Sequence, residues 1–136
     1  MPEPIIYIDR SRILPGKLEE LKTRIAELVD FIGQREPQLL FYGFYLDEGS
    51  GRMTVVAVHP DAASVELHMD VGAAAFRRFA DLIEMEGIEV YGEASDRMLE
   101  QLQQKAHDLG KDGSVRIDQL QAGFSRVVES AGRLHH

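Results

Sequence analysis

The sequence predicts an α+β fold of the ferredoxin-like kind, a split βαβ unit with a four-stranded antiparallel sheet, followed by a C-terminal helix and an extended tail. Three observations carry the prediction. Segments of strand period and helix period follow one another as strand, helix, strand, strand, helix, strand, the order produced by two right-handed crossovers. The second and third strands are separated only by Asp47-Glu48-Gly49-Ser50-Gly51, a turn-forming cluster short enough for a hairpin. Both helical stretches are amphipathic, so each has one apolar stripe to lay on the sheet.

Ile5, Ile6, Tyr7 and Ile8 begin an apolar run that continues through Asp9-Arg10-Ser11-Arg12 to Ile13, and Pro15-Gly16 stops it. This is the first strand. From Lys17 onward Leu18, Leu21, Ile25, Leu28 and Ile32 recur at three and four residues, with Glu19, Glu20, Lys22, Arg24, Glu27 and Asp30 on the other side. The spacing predicts a helix ending near Gly33. Glu36-Pro37 bars a return to helix, because the residue before a proline is held extended, and launches the second strand over Gln38 to Leu46. Arg52 to His59 is the third strand. Asp61 can cap a short helix over residues 62–69, which Gly72 interrupts; Phe76, Phe79, Ala80 and Ile83 mark a second helical segment, ended by Gly87. Ile88 to Tyr91 is the fourth strand.

Ser95 caps a further helix whose stripe is Met98, Leu102, Ala106 and Leu109, ended by Gly110. Residues 114 to 119 read as extended from the alternation of Val115 and Ile117. Leu120, Phe124 and Val127 also fit a helix, Gly123 argues against one, and the remainder reads as irregular. The chain accordingly divides into an α+β domain, residues 1–93, and a C-terminal helix and tail, residues 94–136, expected to pack on a dimer partner.

That partner is required by the hairpin. Leu39, Phe41 and Tyr45 fall on one face of the second strand and Leu40, Tyr42, Phe44 and Leu46 on the other. The helices cover one face of the sheet only. An apolar patch left on the opposite face marks an interface, and a self-complementary homodimer is its simplest cover.

At 136 residues with 44% hydrophobic content the chain can bury one modest core. Its 15 basic and 23 acidic residues give a net charge of -8, which repels phosphate backbones, and no basic cluster offsets it, so nucleic acid is not an expected partner. No apolar run approaches the roughly 20 residues that span a bilayer, and Met1-Pro2-Glu3-Pro4 does not open a signal peptide. The expectation is a cytoplasmic protein with no membrane partner. The absence of Cys excludes disulfides, thiolate nucleophiles and thiolate zinc sites. His135-His136 reads as a tag remnant and is left out of site reasoning. No P-loop, dinucleotide glycine pattern or nucleophile elbow occurs, and Gly49-Ser50-Gly51 is a turn.

Glu36-Pro37-Gln38-Leu39-Leu40-Phe41-Tyr42, followed by Val58-His59-Pro60-Asp61 and then His68, resembles the antibiotic biosynthesis monooxygenase family. The likeness spans about residues 5 to 92 and implies a dimeric α+β barrel. The family's helix after the third strand carries an acid and, seven positions on, a histidine; Asp61 and His68 match, while His59 stands where the family has Trp. A haem-degrading branch is similar at Asp9, where it has Asn, but places its haem-ligating histidine late in the second helical segment. This chain has Arg77, Arg78, Phe79 and Ala80 there, so no haem is expected. The resemblance implies cofactor-free oxygenation, in which a deprotonated electron-rich aromatic substrate, a quinol or polyphenol, reacts directly with oxygen.

The candidate catalytic residues are His68 and Asp9. An imidazole titrating near neutrality can act as general base, and a helical histidine can equally well pack or cap. Asp9 interrupts an apolar strand, where a buried carboxylate is costly unless paired; Arg10, Arg12 or solvent at the strand end are the partners in reach of sequence reasoning. His59, Tyr42, Phe44, Tyr91 and Phe76 are candidates for binding substrate, with a core role as the alternative for the aromatics. No Asp or Glu accompanies His59 and His68 at a ligand spacing, so no metal is expected. The rival to an enzyme is a non-catalytic dimer that binds a small apolar or aromatic ligand or a protein. Either way the site is expected as an apolar pocket between the sheet and the second helical segment.

Overall fold

The computed structural model describes residues 3–110 and 114–126. Val127 and the His135-His136 pair lie outside them. The centre of the sheet is β1 (Ile5–Ile13), in which Ile5, Tyr7, Asp9 and Ser11 are buried and the residues between them face the other way. It pairs antiparallel with β3 (Arg52–His59) on one side and β4 (Ile83–Tyr91) on the other. The hairpin strand β2 (Phe41–Asp47) lies outside β3, giving the ferredoxin-like order, and β5 (Ser114–Asp118) adds to β4 in parallel. The sheet thus has five strands, in the order β2-β3-β1-β4-β5, where four are predicted. The extended segment expected near 114 to 119 is the fifth. It joins its own chain's sheet, with Val115 opposite Ile88 and Ile117 opposite Val90.

α1 (Leu18–Arg35) and α2 (Ala62–Arg77) cover the inner face, and α3 (Asp96–Leu109) packs against α2 and β4. Four boundaries differ from the sequence reading, the first being β2, which begins at Phe41, three residues after the predicted start. α1 runs through Gly33 and stops where Glu36-Pro37 requires it. α2 is one helix followed by a 3₁₀ turn (Arg78–Asp81), because Gly72 does not break it but makes room for an aromatic ring. A Cβ built at Gly72 would lie 2.2 Å from Phe76 Cζ. β4 begins at Ile83, five residues before the predicted start. A register shift opposite Arg10 and Ser11 switches its buried set from Ile83 and Met85 to Ile88 and Val90, and that change of parity hides the strand from a period-two pattern.

The core lies between the inner sheet face and the three helices, with Leu21, Leu28 and Ile32 from α1, Val65 and Phe76 from α2, and Met98, Leu102 and Ala106 from α3. On the outer sheet face Ile6, Phe41 and Tyr45 are exposed, and Arg10 and Arg12 form ion pairs with Glu89 and Glu84. Among the described residues no helix is long and apolar enough to cross a membrane.

Candidate active site

The alternation of β1 turns Tyr7 and Asp9 inward, and the stripe of α3 that meets them contains a charge. Between Leu102 and Ala106 on that stripe sits Lys105, only 9% exposed. Its Nζ donates to Tyr7 Oη at 2.9 Å, lies 3.6 Å from Asp9 Oδ2, and stands 4.4 Å above the centre of the Phe76 ring. Tyr7 Oη in turn donates to Asp9 Oδ2. The three groups form a directed chain, amine to phenol to carboxyl. Asp9 Oδ1 is buried and has no hydrogen-bond partner. A buried oxygen left open in this way costs stability.

Burial pushes the Asp9 carboxyl above its ordinary range, and the neighbouring Lys105 amine and Tyr7 hydroxyl offset that only in part. Burial pushes Lys105 down, against the pull of Asp9. The two shifts run toward each other, so burial narrows the gap in basicity between the amine and the carboxyl. Tyr7 is held well above its ordinary value by burial and by Asp9, and stays a phenol.

A second polar cluster backs the first. His68 Nδ1 lies 2.9 and 3.0 Å from the two carboxyl oxygens of Glu36, both residues buried. The His68 ring meets Tyr42 edge-on at 5.2 Å, Phe76 at 5.1 Å and His59 at 5.3 Å. His59 Nδ1 lies 2.8 Å from Ser64 Oγ, which also accepts from Gln38 Nε2 at 3.2 Å. Burial, with His68 and Lys105 nearby, takes His59 down to about 3. Burial lowers His68 too, although Glu36 pulls the other way. Burial thus favours the neutral form of both imidazoles.

Asp9, Tyr42, Phe44, Phe76 and Lys105 border a small inner chamber of about 20 Å³, lined elsewhere by apolar side chains such as Met53 and Met85. A groove of about 250 Å³ lies outside it between α2 and α3, and Phe76, Lys105 and Leu109 form the wall that the two spaces share. Of the residues named from sequence, Asp9, Tyr42, Phe44 and Phe76 therefore meet at one cavity. His68 stands behind Tyr42 and Phe76, with His59 one ring further back. Tyr91 does not join them: it lies on the alternate face of β4, and its hydroxyl donates to Glu89 at 2.6 Å. Nor is Asp9 paired with Arg10 or Arg12, which point to the outer face and bind Glu89 and Glu84.

Sequence reasoning missed Lys105, Tyr7 and Glu36 as site residues. Lys105 had a signal, since it occupies an apolar-stripe position between Leu102 and Leu109. Tyr7 shares the parity of Asp9 on one strand. Among the described residues no group of three or more His, Asp or Glu side chains stands close enough to hold a metal ion.

No protein-family model and no curated protein matches the chain. Solved structures do. MupZ from Pseudomonas fluorescens superposes with a TM-score of 0.69 at 21% identity, over 91% of this chain and 95% of that one. A protein described as a "putative antibiotic biosynthesis monooxygenase" from Caulobacter crescentus CB15 gives 0.59 at 18% identity, over 65% and 88%. A conserved protein from Methanosarcina mazei Go1 gives 0.57 at 22% identity, over 65% and 90%. At these identities the likeness is one of architecture: the chain has the α+β, ferredoxin-like fold of the antibiotic biosynthesis monooxygenase-like proteins.

Proposed function

We propose that the chain is a cofactor-independent monooxygenase-like protein acting on a small aromatic substrate, a quinol or polyphenol, with Asp9 as the group that takes the substrate's proton. The observation that carries this reading is the unpartnered Asp9 Oδ1 at the border of an apolar chamber. Desolvation raises the basicity of that carboxyl, and Tyr7 and Lys105 occupy its other oxygen, so Oδ1 is the oxygen free to accept. His68, held by Glu36, serves as a positioning residue behind Tyr42 and Phe76. The substrate reaches Asp9 by displacing the Phe76, Lys105 and Leu109 wall from the groove side.

In the reaction the phenolic proton passes to Asp9 and the anion gives an electron to dioxygen; a carbon–oxygen bond then forms on the ring. The quinol loses two hydrogens and gains one oxygen atom, becoming a hydroxyquinone. The second oxygen atom leaves as water with those hydrogens.

Oxygen-uptake screening of quinols and polycyclic phenols tests the reading. Asp9→Asn is expected to lower turnover at least roughly a hundredfold, the usual weight of a general base, with melting nearly unchanged. If His68→Ala has that effect and Asp9→Asn does not, the base is His68. The narrowness of the chamber favours one second reading, a non-catalytic ligand-binding protein. It predicts saturable binding of the same phenols with no oxygen consumed.

A further inference from the structure

We propose that Lys105 is a nucleophilic lysine that condenses with the carbonyl group of a small aldehyde or ketone, a reaction separate from the oxygenation above. Imine formation needs an amine with a free lone pair, an acid beside it to protonate the carbonyl oxygen, and room for the carbonyl compound. Lys105 has all three. Its amine is within 3.6 Å of the Asp9 carboxyl and 2.9 Å of the Tyr7 hydroxyl, and it forms part of the wall between the inner chamber and the groove of about 250 Å³. The groove has apolar walls of Met69, Phe76 and Leu109, with Gln101 and the charged Asp70, Arg77 and Asp108 beside them, and its volume suits a small aromatic carbonyl compound that carries a polar substituent.

Burial adds the lone pair. A lysine desolvated among apolar groups keeps a neutral amine nearer neutrality, the condition under which lysines act as nucleophiles. The other described lysines have no such setting. Lys22 is held protonated by Glu48 and Glu19 on the surface, and Lys17 precedes α1 away from any carboxyl–phenol pair.

The step balances without any redox partner. The Lys105 nitrogen attacks the carbonyl carbon while Asp9 gives its proton to the carbonyl oxygen, forming a carbinolamine. The nitrogen returns a proton through Tyr7 to Asp9. A second transfer from Asp9 expels the hydroxyl as water, leaving a carbon–nitrogen double bond.

Reductive trapping tests this on the wild-type chain. The protein is incubated at pH 7 with 4-hydroxybenzaldehyde and cyanoborohydride under nitrogen, and the adduct is located by intact mass and peptide mapping. An ordinary lysine has on the order of one amine in a thousand unprotonated at that pH. Lys105 is therefore expected to be labelled at least roughly tenfold faster than Lys17 and Lys22. Lys105→Met should abolish the fast lysine adduct and leave the slow ones, with labelling of the α-amine, which is also partly unprotonated at pH 7, set apart by the peptide map. Labelling of Lys105 no faster than that of Lys17 and Lys22 would overturn the proposal. Because oxygen is excluded, that failure would leave the oxygenation reading untouched.

Discussion

Acidification from pH 7.5 to 5.5 should weaken the fold through His59. In the folded chain this imidazole titrates at about 3, because it is buried beside His68 and Lys105. In the unfolded chain it titrates near 6.5. Its folded pKa is depressed, so the unfolded state binds the extra proton and the stability due to a neutral His59 is lost as pH falls below 6.5. At pH 5.5 about ten in eleven unfolded chains carry that proton and almost no folded ones do. At pH 7.5 only about one in eleven unfolded chains does, so the change between the two pH values is RT ln 10, or about 1.4 kcal/mol. Only a folded pKa well below 5.5 is needed for this figure. His68, also depressed, acts in the same direction, and Asp9, raised by burial, in the opposite one. Comparison with His59→Asn separates the three, since Asn replaces the Ser64 contact but does not titrate. Urea unfolding at the two pH values should show the wild type losing about 1.4 kcal/mol more than the variant, roughly half to one molar in midpoint. Working at pH 5.5 keeps the chain above its isoelectric point near 5.1. Equal losses in the two proteins would refute the reasoning.

Gly72→Ala should destabilise the chain by about 1–3 kcal/mol in a urea titration, because the new methyl must displace the buried Phe76 ring and the gain in helix propensity is smaller. The homodimer expected from the hairpin would use the outer sheet face. Tyr45→Glu together with Phe41→Glu should then convert a dimer to a folded monomer in light scattering across a dilution series, and a wild type that is already a soluble monomer at micromolar concentration would refute it. Arg97, which holds Asp70 through one of its terminal nitrogens at 2.9 Å on the exposed side of α2 and α3, should cost less than about 1 kcal/mol when changed to Ala, read as a melting shift of a few degrees.

The element order, the hairpin and the caps of α2 and α3 were legible because each is written in neighbouring residues. Asp61 and Ser95 accept from the backbone three positions on, at 2.9 and 3.1 Å, as their sequence contexts imply. The start of β4 was not legible, since a bulge reverses which positions are buried. Gly72 looked like a stop because its missing side chain serves a ring four residues away, and propensity carries no information about that. At the site, Asp9 stood out as a charge on an apolar strand, but its partner is 96 positions along the chain on another element. Pairing of that kind is decided by packing of α3 on the sheet. The resemblance brings His68 forward, and the structure adds its tie to Glu36, a residue that the sequence marks as a helix stop and as the head of the family-like stretch but not as a partner of His68.

The contribution of α3 has a consequence for how the chain's properties divide. The four antiparallel strands, their two crossovers and the hairpin end at Tyr91, whereas the cation that meets Asp9 is carried by the helix that follows. The helix α3 therefore adds to the buried cluster of β1 a charge that the antiparallel strands themselves lack. A substitution of Lys105 would leave the Asp9 carboxyl at the chamber with Tyr7 but without its cation, and would touch no strand. Proteins of this shape can be alike over the whole sheet and still differ in what they do, and the residue at the place of Lys105 is the one to read first.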